Sequence, residues 1–438
     1  MLVILLFTML SACGDPTATT APIVGTTATT TNTATSAATT AALSTSPLKL
    51  TFSTWGNDAQ NKIYQDLAVK FKEKYPNITV DVQAIPFADY SQKLSIVMAS
   101  KTAPDVAWVV ERSVPQLIEA NQLVDISSLK NASSYNFGDI IPATLAMFKK
   151  GEQVYGIPFS TPPMILFYNK NLFKEKGLKT PTELYKEGNW TYDEFQKAAK
   201  AITDPSKGVY GVKMLRDWKN WIDPLLPIVW SYGADVFNTD TTSFALNTPE
   251  GQKALQLYND LIFKDQSHPK PGDQLTFETG KLGMYTDRYS NVAKTRAVKD
   301  FEWDIAPMPK GPAGAATSLG LAGYAVIQGT KYPAESLEWL KFISGKDGMS
   351  ATSAYFVPPR ESVLRSDVFL KAAPQPSPES IQMAVLDQMK GARYNPGHKN
   401  WAKVDAAVLT QMDRLYTQSV SVKDALAMME KEVNPLLK

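Results

Sequence analysis

LKLTFSTWGNDAQNKIYQDLAVKFKEKYPNITVDVQAIPFADYSQKLSIVMASKTAPDVAWVV, residues 48–110, is the stretch that decides the fold. Leu48, Leu50 and Phe52 alternate, which predicts a strand, and Ile63, Leu67 and Phe71 then recur every fourth residue, which predicts a helix. Ile78, Val80 and Val82 alternate again. Tyr90, Leu94 and Val97 mark a second helix, Pro104-Asp105 breaks it, and VAWVV is a continuous apolar run suited to a strand buried on both faces. Strand, helix, strand, helix, strand in so short a span implies right-handed crossovers and a parallel sheet.

Ligands of open α/β sheets bind outside the carboxyl ends of the strands. Here those ends carry Trp55-Gly56-Asn57-Asp58, then Pro86-Phe87-Ala88-Asp89, then Glu111-Arg112. An aromatic plate, hydrogen-bonding groups and an acid/cation pair therefore converge on one edge. Two blander readings stand beside this one: Trp55 as a loop anchor, and Glu111-Arg112 as a solvated ion pair.

Beyond this unit the chain carries YGIP at Tyr155 to Pro158, YNK at Tyr168 to Lys170, NWTYDEF at Asn189 to Phe195, WSYGADVF at Trp230 to Phe237, ETGKLGMYTDRYS at Glu278 to Ser290 and FVPPRESV at Phe356 to Val363. In this order and spacing the chain resembles the family 1 extracellular solute-binding proteins of ABC importers, the group that includes maltose-binding protein. The resemblance implies a two-lobed α/β clamshell of the type II periplasmic-binding-protein kind. Each lobe would be a mostly parallel sheet flanked by helices, with three hinge crossings near the YGIP turn, residues 284–288 and residues 344–348. It assigns 47–157 and 289–344 to lobe 1, and 158–288 and 345–438 to lobe 2. By the same resemblance Trp55, Asn57, Asp58, Glu111 and Arg112 form the first-lobe wall, and Trp230, Tyr232, Gly233 and Arg360 face them. Asp287, Arg288 and Tyr289 come from the hinge strand, while Gly320 and Gly323 let backbone approach the ligand. Trp218 and Trp221 are further stacking candidates, and Arg216 and Arg393 further cations.

The expected solute is a sugar or oligosaccharide, because aromatic faces cover the C–H patches of pyranose rings and carboxylate and guanidinium groups pair with vicinal hydroxyls. The number of arginines keeps an acidic sugar or phosphate ester open as an alternative. A secreted carbohydrate-active enzyme is the rival class, since a glycosidase needs only two flanking carboxylates. No enzyme is expected, however. The only histidines, His268 and His398, lack metal-ligand spacing, and no phosphate-binding glycine loop occurs, so ATP hydrolysis would belong to a partner. No cofactor or metal is expected. A net charge of +2 with both signs interspersed argues against nucleic acid, and the expected state is a monomer.

The sole cysteine, Cys13, follows an apolar run at residues 1–10, and Leu10-Ser11-Ala12-Cys13 resembles the lipobox of bacterial lipoproteins. Residues 1–12 then read as a signal peptide, Cys13 as the lipidated residue, and 13–46 as a Thr/Ala-rich tether outside the membrane. The tether's reach is roughly 30 Å. The first cationic side chain is Lys49, a departure from the signal-peptide pattern, which opens with Lys or Arg.

Overall fold

The computed structural model describes residues 43–214 and 220–438. Cys13, the signal segment, most of the tether, and Arg216 and Trp218 lie outside these described residues. β1 (Leu48–Thr54), β2 (Ile78–Ala84) and β3 (Val106–Val110) form where the alternation places them. β1 lies between the other two and parallel to both, with Leu48 opposite Ile78 and Phe52 opposite Val106. The apolar run of β3 is covered on both faces, as its composition requires: Val106, Ala107 and Trp108 are fully buried. The helix Asp58–Lys74 buries Tyr64, Leu67 and Phe71 and leaves Ile63 only half-buried. Tyr64 takes the inner position because its hydroxyl meets that of Tyr324 at 2.6 Å and its ring packs edge-on to Trp108.

A short hairpin, β4 (Lys149–Lys150) and β5 (Gln153–Val154), leads into β6 (Ile157–Ser160). The chain then enters β7 (Met164–Asn169), β8 (Tyr210–Lys213), β9 (Leu282–Arg288) and β10 (Trp303–Ala306). It returns through β11 (Ser318–Leu319) to β12 (Ala322–Val326), and a late strand, β13 (Arg393–Tyr394), pairs with β11. Two main sheets result, ordered β2-β1-β3-β12-β6 and β10-β7-β9-β8. Each carries its own core. Every residue of β7 is buried because its period-2 alternation feeds two clusters: Leu166 and Tyr168 pack under one face of the second sheet, Ile165 and Phe167 under the other.

Two details differ from the sequence reading. Parallel pairing holds for β2-β1-β3, but β12 runs antiparallel to both neighbours, and in the second sheet only β8 and β9 are parallel. β7 is antiparallel to β9 and to β10, so this sheet is not mostly parallel. Alternation reports burial, not direction; only the short strand–helix–strand spacing of the first lobe carries the direction.

The lobe boundaries also move. Residues 289–317, expected in lobe 1, pack with lobe 2, since Trp303 pairs with Asn169 and Tyr289, Val292 and Val298 enter the same core. Residues 345–363, expected in lobe 2, pack with lobe 1 through Met349, Phe356, Val363 and the Arg360 guanidinium, which bonds the carbonyls of Ser344, Asn136 and Tyr135. The crossings accordingly fall at residues 161–163, just after YGIP, at 320–321 and at 363–364. The first is bonded to its neighbours: the Thr161 N–H donates to the Val357 carbonyl at 3.0 Å and the Gly320 N–H to the Pro162 carbonyl at 3.0 Å.

Candidate functional site

Each of the three parallel strands delivers one side chain to a cavity of about 310 Å³ between the lobes: Trp55 after β1, Phe87 after β2 and Arg112 after β3. That volume is at the lower end for small-molecule sites. The opposite wall comes from the second lobe, with Asp223 at the start of the helix Ile222–Ser231, and Asp287 and Arg288 at the end of β9.

Trp55 is held edge-on by Tyr90 and Trp108, both with ring centroids at 4.9 Å, and by Phe87 at 5.8 Å. Phe87 itself stays 52% exposed at the cavity. The loop beneath Trp55 is fixed by Asn61, whose buried amide donates to the Gly56 carbonyl at 2.6 Å and pairs with the Thr54 hydroxyl at 2.5 Å. A Cβ on Gly56 would come within 2.9 Å of that amide.

The charges sort into one spent arginine and one unspent. Arg288 donates to the Asp223 carboxylate at 2.6 Å, the Ser318 carbonyl at 2.6 Å and Asn395 Oδ1 at 3.2 Å. Burial alone would raise the Asp223 carboxyl, but Arg288 and the amides of Asn220 and Asn395 outweigh it and hold it well below the usual carboxylate range. Asp287 accepts from the Tyr285 hydroxyl at 2.8 Å and from the Arg288 N–H at 2.7 Å. Arg112, by contrast, makes no hydrogen bond or short ion pair among the described residues, while its half-buried side chain lines the cavity. Glu111 lies buried beside it; burial pushes the Glu111 carboxyl up and Arg112 partly opposes this. The site thus offers an aromatic corner and a guanidinium that makes no hydrogen bond among the described residues, set against a pre-paired acid–arginine wall whose Asp223 it also helps hold low.

Of the expected site residues, Trp55, Arg112, Asp287 and Arg288 line the cavity and Glu111 lies behind it. The others are engaged elsewhere. Asn57 caps the helix Asp58–Lys74 in a reciprocal capping box with Gln60, and Asp58 is an exposed first-turn acid there; Gln60 reaches the cavity instead. Trp230 is buried, its Nε1 donating to Asp235 at 3.0 Å, and the half-buried Tyr232 packs 6.1 Å from the Tyr192 ring. Gly233 has φ +88 and ends the helix Ile222–Ser231. Tyr289 is a core residue, and Gly320 lies in a crossing against Arg288. Gly323 is needed for packing, since a Cβ there would stand 2.4 Å from Phe148. Arg360 is 1% exposed and donates to the carbonyls of Ser344, Asn136 and Tyr135 and to Asp139, welding the first lobe. Trp221 is core too, with Nε1 on Asp405 at 2.9 Å. A recess of about 380 Å³ beside Arg360 and Lys341 is walled by the first lobe only.

Among the cavity residues missing from the sequence-derived site are Gln60, Phe87, Asn220, Asp223 and Asn291. Phe87 had a visible signal at the carboxyl end of β2. Asp223 had only the Asp-Pro start of a helix, which reads equally as capping.

Among the described residues no group of three or more His, Cys, Asp or Glu is arranged to hold a metal, and no helix is long and apolar enough to cross a membrane. Two cores, hydrogen-bonded crossings and a cavity walled from both sides define a two-lobed binding protein. The chain belongs to the bacterial extracellular solute-binding protein family, whose model matches residues 55–350. It is similar to an arabinooligosaccharide-binding protein of Halalkalibacterium halodurans, 23% identical over 340 residues that cover 70% of each chain. A lactose-binding protein of Rhizobium radiobacter is 22% identical over 310 residues, 68% of this chain and 71% of that one. Among solved structures, an ABC substrate-binding protein of Listeria monocytogenes in complex with cycloalternan superposes with TM-score 0.79 at 22% identity, over 89% of this chain and 98% of that one. UgpB of Mycobacterium tuberculosis in complex with glycerophosphocholine gives 0.77 at 17% identity, over 89% and 98%.

Proposed function

We propose that this protein captures a carbohydrate in the cleft between its lobes and hands it, chemically unchanged, to the permease of an ABC importer. The single observation that carries this reading is the convergence of Trp55, Phe87 and the unspent Arg112 from three strand ends, opposite the Asp223–Arg288 wall. Aromatic corners cover sugar rings and free guanidinium donors take vicinal hydroxyls. The relatives named for arabinooligosaccharide and lactose, and the structure solved with cycloalternan, support the same chemistry. Closure follows if the solute binds the closed arrangement better than the open one. Lipid on Cys13 and the tether would keep the protein, as a monomer, beside the permease.

Arg112 favours one second reading, a sugar acid or phosphate ester, because its donors match an anion; the neighbour solved with glycerophosphocholine supports it. A thermal-shift screen of the purified protein with neutral oligosaccharides, sugar acids and phosphate esters separates the two. A true ligand raises the midpoint by mass action. Shifts confined to the anionic probes would replace the first reading by the second; release of cleaved product with turnover would replace both by an enzyme.

A further inference from the structure

Outside the cavity, one side chain lies on an aromatic face that a solute ring would fit. The Arg393 guanidinium sits over the Trp230 ring, 4.2 Å from its centroid, and its Nη2 also holds the Asp235 carboxylate. Trp230 Nε1 donates to the other oxygen of that carboxylate. The indole is only 7% exposed, whereas the Arg393 side chain above it is 51% exposed, so the cover is itself open to solvent and held by a surface ion pair of the weak class.

The placement ties this face to the cleft. Trp230 stands seven residues beyond Asp223 on the same helix, about 10 Å along its axis. Arg393 belongs to β13, which pairs with β11 at the crossing, and Asn395, two residues on, bonds Asp223 and Arg288 at the cavity wall. One strap therefore touches both the cavity and the covered indole.

We propose that Arg393 is a specificity-determining residue: it stands in for a sugar ring on Trp230, so that short solutes held at Trp55 and Arg112 bind unhindered while longer ones must displace it. This rests on the carbohydrate reading of the cleft. A cation over an indole and an apolar sugar face compete for the same π surface, and only one fits.

The test is calorimetric titration of the wild-type protein, Arg393→Ala, Arg393→Lys and the double variant Arg393→Ala/Trp230→Ala with maltose and arabino-oligosaccharide series of two to six rings. Arg393→Ala is expected to bind the longer members of a bound series at least fivefold tighter than wild type, with the two-ring member unchanged. Lysine, lacking the planar stack, is expected to fall between, and the gain is expected to vanish in the double variant. Equal length profiles in wild type and Arg393→Ala, weaker binding of long members, or a gain that survives loss of Trp230 each overturn the proposal while leaving the carbohydrate reading standing. Binding of neither series by any of the four folded proteins overturns both.

Discussion

At the residue scale the difference between Arg112 and Arg288 is the most consequential feature of the cleft. Arg112 makes no hydrogen bond among the described residues, so Arg112→Ala is expected to weaken solute binding by tenfold or more while changing stability by under about 0.5 kcal/mol, checked by calorimetry and chemical denaturation. Arg288→Ala removes the partner of a buried carboxylate and the bonds to the Pro162 and Ser318 carbonyls, so it is expected to cost about 3 kcal/mol of stability, read as a fall in denaturation midpoint. His268 supplies a pH dependence. Its Nε2 accepts from the Met214 N–H at 2.9 Å, its Nδ1 donates to the Pro269 carbonyl at 2.7 Å, and burial pushes its pKa from 6.5 down to about 4. The folded state holds this proton more weakly than the unfolded chain, so stability is full above pH 6.5 and falls as pH drops toward 4, by roughly 2–3 kcal/mol. The Asp223 carboxyl, held low, loses its contribution only below its ordinary 3.8. A denaturation series across pH is expected to show the upper window abolished by His268→Gln and the lower one retained.

At the element scale the legibility of the chain was uneven for physical reasons. β1, β2 and β3 were readable because period 2 and period 3.6 alternate with short breaks, and their carboxyl ends named three cavity residues, Trp55, Phe87 and Arg112, although Phe87 was passed over. Tyr289 and Arg360 lie in the core and not at the cleft, because a polar or aromatic side chain beside a buried strand has the same sequence signature whether it points into a cleft or into a core. Arg360 shows this most clearly, since nothing in PPR announces that three carbonyls wait for its guanidinium. Gly323 was read as an approach for ligand, yet it admits Phe148 at a register shift of β12 against β6. Gly323→Ala is therefore expected to destabilise the first lobe by about 1–3 kcal/mol, as overpacking does, and to leave solute affinity of the folded fraction unchanged in calorimetry.

At the scale of the whole molecule, two independently cored lobes joined by three crossings explain why a small solute acts on so large a body. The crossings at 161–163 and 320–321 are bonded to each other through Gly320 and Pro162, and Arg288 reaches from the cavity onto the Pro162 carbonyl and the Ser318 carbonyl beside the second. A solute that engages Arg112 on one lobe and the Asp223–Arg288 wall on the other favours the closed arrangement. Solute capture in this cleft is tested most directly by titration of the purified protein, and of Trp55→Ala and Arg112→Ala, with the saccharide that gives the largest thermal shift. The expected result is one saturable site per chain with affinity lowered at least tenfold by each substitution; undiminished affinity in both variants would place the solute somewhere other than the cleft.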